Sequence, residues 1–154
     1  MTELTLPVID RTVHKTRLWL DDVMAATETM DRARAVRALR AVLHALRDNL
    51  AVDEIARFGA QMPLLVRGLY YEGWIPGVER DETVADFVGR VATEFGDFPT
   101  LDLEVVCRGV YKVVRHYVSL GEMRDVAAAL PPAVREFLEV PEYRAPGEPL
   151  ISAP

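Results

Sequence analysis

The chain has 154 residues, half of them hydrophobic, and carries 18 Lys and Arg against 24 Asp and Glu, a formal net charge of −6; this is the composition of a globular domain and excludes a disordered polymer. A domain of this length buries roughly 70% of its unfolded surface, so no disulfide or metal is needed to hold it, and the lone Cys107 forbids an intrachain disulfide. Residues 1–75 carry 10 basic and 10 acidic side chains and residues 76–154 carry 8 and 14, a balance that argues against the broad basic footprint of nucleic-acid binding.

Taken in chain order, residues 1–15 form an N-terminal segment with no long apolar run after a basic start, and no later stretch nears the roughly 20 apolar residues of a membrane span. The expectation is a cytoplasmic protein. A first helix is predicted over Thr12–Thr27. A second, Arg32–Leu50, is capped by Asp31 and places Leu39, Val42, Leu43, Leu46 and Leu50 at spacings of three and four. A third follows, with Glu54 in its first turn, and a fourth opens at Pro63, whose fixed φ suits the start of a helix. Gly73 reads as the end of that helix and Trp74–Arg80 as a linker.

The second half repeats the pattern: helices over Thr83–Phe95, over Leu101–Val118 behind a Thr100 cap, from Ser119 with the capping-box spacing Ser119 to Glu122, and from Pro131. Residues 140–154 hold Pro141, Pro146, Pro149 and Pro154 and read as an extended tail, able to dock as a peptide does.

This recurrence is a duplication at an offset of 68 residues, pairing Arg40 with Arg108, Arg47 with Arg115, Glu54 with Glu122, Pro63 with Pro131 and Arg67 with Arg135. No alternating strand pattern competes with it. The expected fold is all-α: repeat 1 (16–73) and repeat 2 (83–139), each of about four helices, packed face to face in one compact domain.

Catalytic vocabulary is missing. The chain has no phosphate-cradling glycine loop, no nucleophile elbow, no cysteine pair and no Glu-x-x-His pairs for a di-iron bundle. His44 with Asp48 has helical metal spacing, but Arg40 and Arg47 flank it and would repel a cation. Cys107 and His116 read as a core residue and a structural or solvated residue. The expectation is no metal, no cofactor and, more readily than an enzyme, a non-enzymatic protein.

Two sets of residues remain as candidates. Arg40, Arg47, Arg108, Lys112 and Arg115 put positive charge at matched places in both repeats, either as a solvated stripe or as related pockets for an anion or acidic partner. Tyr70, Tyr71 and Trp74 are not demanded by the repeat, because the aligned residues of the second half differ; one tyrosine is expected inside and the other near the surface. They are the candidates for a partner protein or self-association. The alternative is a small-ligand or anion site, or an enzyme, with a pocket at the seam between the repeats.

The run Met62–Trp74, with Arg67, Gly68, Leu69, Tyr70, Tyr71, Glu72, Gly73 and Trp74 in succession, and the preceding run Ala38–Arg47 resemble the bacterial family known as domain of unknown function 2267. The resemblance spans about Leu18 to Leu138. It implies a small helical bacterial protein and brings no activity, cofactor or catalytic residue with it.

Overall fold

The computed structural model describes residues 6–29, 31–96 and 102–139; the cap expected at Thr100 and the Pro-rich tail lie outside them. Among the described residues the fold is all-helical, with α1 (Pro7–Thr27), α2 (Arg32–Arg47), α3 (Val52–Ala60), α4 (Leu64–Tyr71), α5 (Val84–Phe95), α6 (Leu103–Tyr117), α7 (Leu120–Ala129) and α8 (Pro132–Leu138). None of these helices is long and apolar enough to cross a membrane.

The helix ends follow local chemistry. Asp31 caps α2 by accepting from the Arg34 N–H at 2.9 Å. Asp102 caps α6 by accepting from the Glu104 N–H. Thr83 and Asp86 form a reciprocal capping box at α5, and the N–H groups of Glu82 and Thr83 hold the Asp86 carboxyl below the usual carboxylate range. Pro63 and Pro131 are the caps themselves, one position earlier than expected, and α1 starts at Pro7 rather than Thr12. At α7 the expected box is half made: Ser119 Oγ accepts from the Glu122 N–H at 3.3 Å. The Ser119 N–H donates instead to Gln61 Oε1 at 2.9 Å, tying α7 to the end of α3.

The centre of the molecule is α2, which is buried almost all round from Ala38 onward: Ala35, Ala38, Leu39, Ala41, Val42, Leu43, Ala45 and Leu46 each keep at most 1% of their surface exposed. Its alanines let backbones approach on several sides, and α1, α4, α5 and α6 pack around it. α1 also lies along α6, and α3 meets α7. The first four helices therefore share one core with the last four, through Trp19, Val23, Leu39, Phe58, Phe87 and Val110. One close crossing depends on Gly109: a Cβ there would stand 2.6 Å from the carbonyl oxygen of Ala26 on α1.

Candidate functional site

The last turn of α4 has carbonyls with no partner inside the helix, and α2 supplies the donors. Arg47, only 3% exposed, donates from Nη1 to the carbonyls of Tyr70 at 2.7 Å and Glu72 at 3.0 Å, and from Nε to Asp48 Oδ1 at 2.9 Å. His44 is also buried. Its Nε2 lies 2.7 Å from the Leu69 carbonyl, which only accepts, so this nitrogen carries a proton. Its Nδ1 lies 2.6 Å from Glu94 Oε1 on α5, a contact that also needs a proton between the two atoms.

A second clamp holds the far end of the loop that follows. Asn49, fully buried, donates to the Ala45 carbonyl and to Asp81 Oδ2, both at 2.8 Å, and its Oδ1 accepts from the Asp81 N–H at 3.0 Å. Arg90 on α5 donates to the other oxygen of Asp81 at 2.6 Å, to Asp48 Oδ2 at 3.4 Å and to the Glu79 carbonyl. Arg47, Asp48, Arg90, Asp81 and Asn49 thus form one continuous network. Among the described residues no buried side-chain nitrogen or oxygen is left without a partner.

Between the clamps the chain turns at Gly73 (φ 65°) and Gly77 (φ 83°), in the left-handed region that other side chains resist. There it presents apolar groups to solvent: Ile75 is 67% exposed and Val52, beside it at the start of α3, is 60% exposed. With half-buried Trp74, and with Pro76 and Val78, they line a shallow cavity of about 190 Å³.

Tyr70 packs edge-on against Phe58, with ring centroids 5.5 Å apart, and donates to the Ile55 carbonyl at 2.9 Å; burial pushes its phenol well above the usual range. It has no exposed surface to offer a partner. Tyr71 is half-buried, and Trp74 lies against it with centroids 6.1 Å apart. Both tyrosines fit against α3 because Gly59 has no Cβ, which would stand 2.8 Å from the Tyr71 hydroxyl oxygen and 2.9 Å from the Tyr70 ring.

The five basic candidates go to different places. Arg40 pairs with Glu72 at 3.3 Å, beside the Arg47 clamp. Arg108 donates to the Phe137 carbonyl at the end of α8 at 2.8 Å, with its guanidinium 4.4 Å from the Phe137 ring centroid. Arg115, exposed, lies 6.0 Å from the Tyr111 ring centroid. Lys112 lines an open groove of about 730 Å³ between α1 and α6, with Asp22, Glu28 and His116.

Burial pushes the Cys107 thiol up to about 12, so it stays protonated at neutral pH and is no nucleophile. Among the described residues no three His, Cys, Asp or Glu side chains gather as a metal would require. Sequence reasoning missed Asn49, Asp81, Arg90 and Glu94. The only signal was a polar Asn49 next to the apolar row of α2.

The family model described as an uncharacterized conserved protein (DUF2267) matches residues 16–137. The chain belongs to this family. No curated protein matches it.

Proposed function

For this member of a family described only as uncharacterised, we propose a non-enzymatic interaction module that binds a protein partner, or a second copy of itself, through Trp74 and Tyr71 together with Ile75 and Val52. The observation that carries the reading is the pairing of exposed apolar side chains with a fixed backbone: Ile75 and Val52 are largely exposed, on and beside a loop that Arg47 holds at one end and Asn49, Asp81 and Arg90 at the other. A preordered apolar patch loses little conformational entropy on binding, and a half-buried tryptophan at its centre is a common energetic anchor. We place the protein in the bacterial cytoplasm as part of the same reading.

The finer architecture is a proposal too: the helices are two related sets of four. Moving Thr16–Thr27 of α1 forward by 68 positions lands on 84–95, which is α5, and moving α3 and α4 lands on 120–128 and 132–139, within one residue of α7 and α8. The competing reading, a small-ligand site at the seam, has its support in the groove between α1 and α6, although among the described residues neither an arginine nor a tyrosine lines it.

The test is Ile75→Glu and, separately, Trp74→Ala, compared with wild type by light scattering for mass and by affinity capture with quantitative mass spectrometry. The expected outcome is loss of self-association or of a specific captured protein, with a melting temperature changed little for Ile75→Glu. Identical mass and identical captured proteins in all three would sink the proposal.

A further inference from the structure

A groove of about 520 Å³ runs between α1 and the turn joining α3 to α4, with Trp19, Met62 and Tyr117 in its lining and Lys15 and Arg67 as its cations. Among the described residues no carboxylate lines it, although the chain carries a net charge of −6. Arg67 is held in one orientation by neutral acceptors: Nε donates to the Gly59 carbonyl at 2.9 Å, and Nη2 to those of Ala60 at 3.2 Å and Met62 at 3.0 Å. Carbonyls fix a guanidinium without cancelling its charge. Among the described residues neither Lys15 nor Arg67 pairs with a carboxylate, whereas Arg32, Arg34, Arg40, Arg47, Arg57, Arg90 and Arg108 all do.

The surroundings are apolar as well as basic. Val8, Arg11, Lys15 and Leu18 follow one another at spacings of three, four and three, so they form a row on one exposed face of α1. The Leu65 N–H donates to Thr12 Oγ1 at 3.2 Å, which ties the first turn of α4 to α1. Leu18 is 43% exposed, Leu64 53% and Leu65 46%. The next position on the row, Asp22, accepts from the Tyr117 hydroxyl and closes the basic strip.

From this charge complementarity we infer that the groove is a docking site for an acidic amphipathic helix of a partner protein. Its apolar side chains lie against Leu18, Leu64 and Leu65, and its carboxylates meet Lys15, Arg11 and the fixed guanidinium of Arg67. The row from Val8 to Leu18 is about 15 Å long at 1.5 Å per residue, enough for two to three turns of a docked helix. A concave lining and one rigidly aimed guanidinium suit a shaped peptide better than a flat anionic membrane. The site is separate from the Trp74 loop and does not depend on the reading proposed for it.

The probe is a random 16-residue peptide library displayed on phage and selected on the full chain, with recovered peptides titrated by fluorescence anisotropy. Lys15→Glu and Leu18→Gln alter exposed side chains and leave the fold intact, which thermal melting checks; Ile75→Glu is the control at the other patch. The expected outcome is enrichment of Asp and Glu with apolar residues three and four apart, and affinity weakened about tenfold or more by Lys15→Glu. Leu18→Gln weakens it as well, and Ile75→Glu leaves it unchanged. Recovered peptides without acidic enrichment, or with affinity indifferent to Lys15→Glu, overturn the inference. So does binding to phosphatidylserine vesicles that Lys15→Glu abolishes while no acidic peptide is recovered, an outcome that assigns the strip to a membrane surface.

Discussion

The last turn of α4 and the last turn of α8 occupy positions 68 residues apart and are held by different chemistry. At α8 the carbonyl of Phe137 is met by Arg108, which stays half exposed and stacks on the Phe137 ring. At α4 the corresponding carbonyl, Leu69, is met by buried His44, while Arg40 at the place of Arg108 turns outward to Glu72. Arg47 and Arg115 diverge further: one is buried under two carbonyls and a carboxylate, the other lies on the surface by Tyr111. Gly59 stands where the second half has Ala127, and Tyr70 and Tyr71 where it has Leu138 and Glu139, so the glycine and the tyrosines it admits occur together in one half only. The end of α4 thus carries an elaborate polar lock and the end of α8 a simple cap. The lock fixes the loop that exposes Trp74 and Ile75.

Breaking the lock should cost most. Asp81→Ala strands Asn49 and Arg90 together, and a loss of about 3 kcal/mol is expected in urea unfolding, as for other broken buried pairs. Arg47→Ala should cost about 2 kcal/mol by leaving two carbonyls unmet, whereas Arg115→Ala should stay within about 0.5 kcal/mol; equal losses would erase the contrast between the halves. Gly59→Ala should destabilise by about 1–2 kcal/mol by displacing the tyrosines. Ala127→Gly, at the matching place, should cost less, about 0.5–1 kcal/mol, from helix propensity alone.

The smallest effect concerns Glu122 at the start of α7. Burial holds its carboxyl above the usual range, so ionising it costs more in the folded protein than in the unfolded chain. That penalty is absent when the group is protonated and appears as pH rises through the raised folded value. Glu122→Gln should therefore raise the melting temperature slightly at pH 7, and the gain should vanish as the buffer is taken below the carboxylate range. At Glu54, the matching position, the side chain accepts from the Ala51 N–H, and Glu54→Gln should bring no such gain.

Particular residues show what was legible in the sequence. The spacing of Leu39, Val42, Leu43 and Leu46 announces α2, and the cap at Asp31 is where the sequence places it. Pro63 and Pro131, read as helix starts from their fixed φ, do stand at the starts of α4 and α8. That one tyrosine of the Tyr70–Tyr71 pair lies inside and the other near the surface follows from their 100° separation on a helix. The fate of the arginines was not legible, because a helical wheel ranks positions by face and says nothing of which carbonyls from another helix end there.

By itself, then, the sequence determined the helical class, most helix boundaries to within a few residues and the apolar face of each helix, since periodicity, caps and prolines act within one or two turns. Tertiary structure alone decided that Arg47 and His44 are buried as caps on α4, that Asn49 and Asp81 clamp the loop, and that, among the described residues, the cations of one groove face no carboxylate. Each of those outcomes depends on groups between 23 and 53 positions apart in the chain meeting within hydrogen-bond distance, and only the packed core brings them there.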